Sequence, residues 1–154
     1  MIWGIDLGVR SAYLSGLNPE SGAWLMAEVT VPQRPVRSLE LGALVTRVGE
    51  HVREEDEVFI ECPPMAGSRN IGTFGALNQV LGALLGRIGG TPVNVMQWKQ
   101  AVVGKGNASK DEVRAWLEVH NHQAWFLSAG DQNSVDAACI ALYGEMLISR
   151  ADAL

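Results

Sequence analysis

The stretch Met1-Ile2-Trp3-Gly4-Ile5-Asp6-Leu7-Gly8, followed by Ser11-Ala12-Tyr13-Leu14-Ser15-Gly16-Leu17 and then by Ala23-Trp24-Leu25-Met26-Ala27-Glu28-Val29-Thr30-Val31, decides how the chain is read. Residues 1–8 alternate as a strand does, and Gly8 ends the run. Ser11 to Leu17 is a second short strand. Pro19-Glu20-Ser21-Gly22 has the composition of a turn, and Ala23 to Val31 is a third strand. Three strands joined this closely predict an antiparallel meander.

Beyond the meander the period changes. Pro32 and Pro35 make a connector. Leu39, Leu41, Leu44, Val45 and Val48 recur at helical spacing and predict a helix over about residues 37–53. Val58-Phe59-Ile60 is wholly apolar, as a central strand buried on both faces should be. Glu61-Cys62-Pro63-Pro64 ends it, because proline cannot donate to a ladder. A longer helix is predicted over about 70–88, with Ile71, Phe74, Leu77, Leu81, Leu84, Leu85 and Ile88 on one face. Gly75, Gly82 and Gly86 each weaken that helix by roughly 1 kcal/mol relative to Ala, so a close approach of another backbone is the expected return. A fifth strand covers Pro92 to Met96. Ser109-Lys110-Asp111-Glu112 is a capping box and starts a helix that runs to about His120. The last helix covers about 132–149, with Val135, Ala138, Cys139, Leu142 and Met146 as its apolar stripe.

The order β-β-β-α-β-α-β-α-α predicts an α/β fold. Its sheet has five strands and is mixed: three antiparallel strands, then parallel ones, with helices on both faces. No repeat or linker divides the chain, so residues 1–154 are expected to form one domain. At 47% hydrophobic residues the chain can bury a core without staples. Two cysteines, Cys62 and Cys139, are too few for a disulfide framework or a zinc site. The first residues lack a basic region and are interrupted by Asp6, and no apolar run approaches the ~20 residues of a bilayer span. A cytoplasmic location without membrane contact is therefore expected. The net charge of −5 argues mildly against strong non-specific DNA binding, which depends on lysine and arginine.

Three acids stand in awkward places. Asp6 lies inside the most strand-like segment, Glu61 ends the apolar run 58–60, and Asp136 flanks the stripe of the last helix. A carboxylate in such a place costs several kcal/mol in desolvation unless something pairs with it. Taken singly, each has an ordinary explanation as a turn, cap or helix-flank residue. Taken together in this order of elements, they converge if their strands are neighbours. Converging carboxylates repel, and a hard divalent cation such as Mg²⁺ or Mn²⁺ relieves the repulsion. Two such ions about 4 Å apart serve phosphodiester cleavage.

Ile5-Asp6-Leu7-Gly8 resembles the first-strand motif of the RuvC-type Holliday junction resolvases, members of the RNase H-like superfamily. A more specific resemblance lies in Lys99-Gln100-Ala101-Val102-Val103-Gly104-Lys105-Gly106-Asn107-Ala108-Ser109-Lys110-Asp111-Glu112-Val113, which follows that family's pattern K-Q-x-V-x-G-x-G-x-A-x-K-x-x-V. Asp136-Ala137-Ala138-Cys139-Ile140-Ala141 is similar to its closing-helix pattern D-A-x-x-I-A. The likeness runs from Met1 to about Tyr143. It implies an RNase H-like fold and a divalent-metal-dependent DNA endonuclease that acts on four-way junctions as a homodimer, cutting by paired symmetric nicks. It implies Asp6, Glu61 and Asp136 as catalytic metal ligands for Mg²⁺, with Mn²⁺ as a substitute and two ions in the site. Lys110 is implied as a catalytic residue, and Lys99 and Lys110 match the family's basic positions near the scissile strand. With Lys105 they form a basic cluster in a Gly-interrupted loop, which suits phosphate contact. Arg69 is a further candidate for phosphate contact, although a surface arginine is the plainer account. The helix at 70–88 is the implied dimer contact.

The chain departs from the family pattern in three ways. Asn133 stands where the family carries another acid or ligand one helical turn before the last Asp. Asn133 is expected as a neutral metal ligand, with an N-cap role as the alternative, and Asp131 is expected as an N-cap or as a loop acid turned inward. Cys62-Pro63-Pro64-Met65 holds no aromatic where the family uses one to open the junction. The chain is also acidic where familiar members are basic. Trp98 and Trp125 fit core packing better than base stacking. His120-Asn121-His122 is a coincidence of letters, because the nuclease class it spells depends on widely separated residues. Two other classes remain open beside the resolvase: a flap or fork nuclease of the same fold, and a catalytically inactive nucleic-acid-binding module. Actin-like ATPases open with a similar strand but need two such domains, which 154 residues do not provide.

Overall fold

The computed structural model of the protein describes residues 1–31, 38–63 and 71–153. The connector prolines Pro32 and Pro35, the segment Pro64–Met65 and Arg69 lie outside the described residues. The elements are β1 (Ile2–Leu7), β2 (Ser11–Leu17), β3 (Trp24–Thr30), α1 (Ser38–Gly49), β4 (Glu57–Glu61), α2 (Ile71–Ile88), β5 (Thr91–Val93), α3 (Val95–Val102), α4 (Lys110–His120), α5 (His122–Ser128) and α6 (Gln132–Ala151).

The five strands form one sheet in the order β3-β2-β1-β4-β5. β1 pairs antiparallel with β2, and β2 with β3. β4 and β5 continue the sheet in parallel to β1. The meander and the mixed sheet follow the sequence pattern directly. Strand alternation sends Trp3 and Ile5 to one face, where they meet Leu44, Val45 and Val48 of α1 and Val80, Leu81 and Leu84 of α2. The other face carries Ile2, Leu17, Trp24 and Phe59 into a second core formed with α3 to α6. Helices thus cover both faces.

Two expectations are corrected. The fifth strand ends at Val93 rather than Met96, because Asn94 caps a helix: its side chain accepts from the Met96 backbone N–H at 2.8 Å. Lys99 therefore stands on α3 and not in a loop. The second correction is α5, a seven-residue helix where none was expected. Asn121 closes α4 with its backbone N–H on the Leu117 carbonyl and opens α5 by accepting from Ala124 N–H at 3.0 Å. Flanking it, His120 stacks on Trp116. His120-Asn121-His122 is a helix-helix joint.

Helix α6 is enclosed more completely than its stripe predicts. Val135, Ala137, Ala138, Cys139, Ile140, Ala141 and Gly144 are all buried, between the sheet on one side and α3, α4 and α5 on the other. Two glycines permit this. A methyl group on Gly4 of β1 would land on the Ala137 carbonyl oxygen and the Ala141 nitrogen, and one on Gly144 would land on the Phe59 ring. The closing helix therefore lies in backbone contact with β1 and rests on the side chain of β4. Among the described residues no helix is long and apolar enough to cross a membrane.

Candidate active site

β1 and β4 are parallel neighbours with Ile5 opposite Ile60, so the next pair in register is Asp6 and Glu61. Both point to the face covered by α6, as Phe59 does, because side chains two apart on a strand share a face. Each is the last or next-to-last residue of its strand. Asp136 is in the first turns of α6, directly before the Ala137 that rests on Gly4. The packing that needs a glycine in β1 thus delivers the third acid to the other two.

The three carboxylates feel one another. Burial is the largest influence on Asp6, followed by the negative charges of Glu61 and Asp136, and together they push its carboxyl up to about 8. Lys110 pulls in the opposite direction, and Asp131 adds to the rise. Burial also raises Glu61, against a hydrogen bond from Trp98 and the charge of Lys99. It raises Asp136 against a hydrogen bond from Gln132 and the charges of Lys99 and Lys110. All three acids prefer the protonated form more than free carboxyls do. Carboxylate oxygens so penalised for their charge have the chemistry that a hard divalent cation would relieve. No three His, Cys, Asp or Glu among the described residues stand close enough to hold one ion jointly. The donor chemistry suits such an ion, but the carboxylates do not stand as a ready cage.

The lysines divide. Lys110, exposed at the first position of α4, and Lys99, half-buried on α3, both act electrostatically on the acids. Lys99 is tied down, with its Nζ donating to the Ala108 carbonyl at 2.9 Å. Lys105 faces Glu112 instead, at 2.6 Å, in an exposed ion pair. The long motif Lys99–Val113 is chiefly a folded connection. Gln100 clasps it twice, donating to the Gly104 carbonyl at 3.0 Å and accepting from Gly106 N–H at 3.1 Å. Gly104 supplies a φ of 86°, a backbone region that glycine enters freely. Ser109 and Glu112 then close a reciprocal capping box on α4.

Asp131 is the N-cap of α6, with its side chain accepting from Ser134 N–H at 2.9 Å. That leaves Asn133, at the second helical position, with no capping duty. Asn133 is half-buried and shares a face with Asp136. Two residues at the acids were not recognised in the sequence as their partners. Trp98 donates its indole N–H to Glu61 Oε2 at 2.8 Å. Gln132 donates its amide to Asp136 Oδ1, also at 2.8 Å. The one sequence signal for either is that Gln132 precedes Asp136 by four, the spacing at which helical side chains meet. Nothing in the sequence pairs Trp98 with Glu61. Cys139 is buried and feels the charge of Asp136, Cys62 is half-buried, and both are free thiols.

A mixed sheet in this order, with a closing helix laid across β1 and β4, is the RNase H-like α/β fold. Among solved structures the chain takes the fold of RuvC from Thermus thermophilus. It aligns at a TM-score of 0.61 and 23% identity over 94% of this chain and 95% of that one. The T. thermophilus RuvC in complex with a Holliday junction substrate aligns at a TM-score of 0.64, also at 23% identity, over 94% of each chain. No family model and no curated protein matches the chain.

Proposed function

We propose that this chain is a divalent-metal-dependent DNA endonuclease of the RuvC type, which resolves four-way junctions by paired symmetric nicks. The observation that carries this reading is the meeting of Asp6, Glu61 and Asp136 at the ends of β1, β4 and the start of α6, mutually repelling and with two lysines beside them. The fold shared with a RuvC seen on a Holliday junction substrate supports the choice of substrate.

In this reading Asp6, Glu61 and Asp136 hold Mg²⁺ or Mn²⁺, two ions in all, with Asn133 as a neutral fourth ligand. When bound, such ions activate water and neutralise charge on the leaving oxygen. The chain's own part is to hold the carboxylates on rigid elements, and to place Lys110 and Lys99 where a scissile phosphate would approach. Lys105 lies on the same connection and serves phosphate only if it leaves Glu112. Arg69 remains a candidate for phosphate contact. The protein acts as a homodimer through α2, because a two-fold assembly supplies one site for each of two symmetric nicks. In support, a Cβ on Gly75, Gly82 or Gly86 meets nothing within 4 Å among the described residues, so that face of α2 is available to a partner helix.

The deciding experiment incubates the chain with Mg²⁺ and a panel of four-way, fork, flap and linear DNAs. Symmetric nicks in the junction, from a species of dimeric mass, are the expected result. Cutting of forks or flaps in preference to junctions would replace the resolvase by a looser nuclease. Binding without any cleavage would make the chain an inactive nucleic-acid-binding module.

A second test concerns the fourth ligand. Asn133→Asp is expected to tighten Mn²⁺ binding severalfold and to keep cleavage, since it adds a charged oxygen facing Asp136. Asp131→Asn is expected to be nearly silent, because asparagine preserves the cap of α6. The reverse pattern, cleavage lost in Asp131→Asn and kept in Asn133→Ala, would make Asp131 the fourth ligand.

A further inference from the structure

Two of the three acids are gripped by neutral side chains, and the grip is unusual in its chemistry. Trp98 has no exposed surface and is packed in the core that α3 shares with α6. Its single polar atom reaches Glu61 Oε2 at 2.8 Å. Lys99 stands over the same ring, 5.6 Å from its centroid, and is held in turn by the Ala108 carbonyl. On the other side of the site, Gln132 directs its amide N–H to Asp136 Oδ1, while its Oε1 is buried with no hydrogen-bond partner among the described residues. Turning the amide over would set oxygen against carboxylate, so the charge of Asp136 dictates its orientation and leaves the oxygen orphaned. A glutamine kept only for packing would not leave a buried acceptor unmet.

We propose that Trp98 and Gln132 are positioning residues, neutral N–H donors that each fix one oxygen of Glu61 and of Asp136 and leave the other for the metal. This rests on the metal-dependent reading above. The physical reason for neutral donors is that a lysine or arginine on the same oxygen would cancel the charge that attracts the cation. An N–H from indole or amide restricts the side-chain rotamers yet leaves the carboxylate charged. Outer partners of this kind typically matter about 10- to 100-fold in metal affinity or activity. Asp6 has no such donor among the described hydrogen bonds, so the two donors set the geometry into which Asp6 closes.

A built-in control exists. Trp3 makes the same kind of bond, from its indole N–H to Asp56 Oδ2 at 2.9 Å, at the opposite end of β1. The experiment is a titration of the DNA-free full chain with Mn²⁺, read by electron paramagnetic resonance of the free ion. Trp98→Phe keeps the ring and removes the donor, Gln132→Met keeps the length and removes the donor, and Trp3→Phe is the control. Trp98→Phe and Gln132→Met are each expected to weaken Mn²⁺ binding on the order of tenfold. In both, kcat on saturating junction should fall while KM for DNA stays put. Trp3→Phe should leave Mn²⁺ binding as in the unaltered chain. If Trp98→Phe does not fold, Gln132→Met decides alone. The positioning role is overturned if the folded donor variants bind Mn²⁺ like the unaltered chain, or if Trp3→Phe weakens binding as much. An unaltered chain that binds no Mn²⁺ overturns the metal-dependent reading itself, and this inference with it.

Discussion

Asp6→Asn is expected to abolish cleavage and, in the presence of a chelator, to raise the melting temperature at pH 8. The sign follows from the protonation states. The folded protein holds the Asp6 carboxyl up to about 8, against an ordinary value of 3.8. Between those two values the folded state keeps a proton that the unfolded chain has released. Stability from this group is therefore fully present below pH 3.8 and is lost as pH rises through about 8. Asparagine carries neither the charge nor the dependence. The variant and the unaltered chain should melt alike near pH 4 and diverge as pH rises. Each pH unit is worth at most about 1.4 kcal/mol, and since Asp6 is only half-buried the gap at pH 8 should be on the order of 3 kcal/mol. That corresponds to a rise of roughly 6 to 12 °C for a chain of this size. Adding Mg²⁺ should then raise the melting temperature of the unaltered chain, because the ion binds the folded state, and should do much less for Asp6→Asn. Cleavage should be lost with or without added Mg²⁺, because the ions that activate water would lose one of their carboxylates. Glu61→Gln and Asp136→Asn should follow in cleavage but show smaller stabilisation, since each native carboxylate already receives a neutral hydrogen bond. A variant at Asp6 that still cuts at near the native rate would remove it from the ligand set. A variant that melts lower than the unaltered chain at pH 8 in chelator would show that charge crowding is not the dominant influence there.

The second large effect belongs to a residue with no functional group. Gly4→Ala places a methyl group on the Ala137 carbonyl oxygen and the Ala141 nitrogen, both backbone atoms of α6. A flexible side chain could turn aside, but a helix backbone moves only as a body. The expected loss of stability is about 3 kcal/mol, the upper part of the range for overpacked cores. The functional loss should be larger than the stability loss. Ala137 follows Asp136, so lifting α6 off β1 carries the third acid away from Asp6 and Glu61. Even at a temperature where Gly4→Ala is fully folded, cleavage should fall at least on the order of a hundredfold, because an ångström of misplacement is enough for that. The contrast is Gly42→Ala. Gly42 is in α1, exposed, and a Cβ there meets nothing within 4 Å among the described residues. That change should stabilise the chain by up to about 1 kcal/mol through helix propensity alone and leave cleavage untouched. Melting curves and nicking rates of the two variants side by side make the check. Equal behaviour would mean that α6 is not held by its contact with β1.

The strands of the meander were legible in the sequence because alternation and turn chemistry are local. The same holds for α4, whose capping box is four consecutive residues, and for α6, whose run of small apolar residues permits close burial. The candidate site was legible to the extent that acids in apolar segments are costly. Asp6, Glu61 and Asp136 advertise themselves by standing where a carboxylate should not be, and a shared register on parallel strands brings the first two together. The helices α3 and α5 were not legible. They are eight and seven residues long, too short for periodicity to accumulate, and each depends on a single asparagine cap. Equally hidden were the partners of the acids. Whether Trp98 points to the core or to Glu61 depends on how α3 lies against α6 and β4, a relation between segments 37 residues apart. Sequence by itself determined the order of the elements and which residues pay a desolvation cost. Only the tertiary structure decided which neutral donors meet those residues, that Lys99 and Lys110 act on the acids while Lys105 faces Glu112, and that Gly4 is the point where α6 touches the sheet. The physical reason is range: backbone propensity and hydrophobic period act over a few residues, whereas hydrogen bonds and charge pairs at the site join groups that only packing brings within reach.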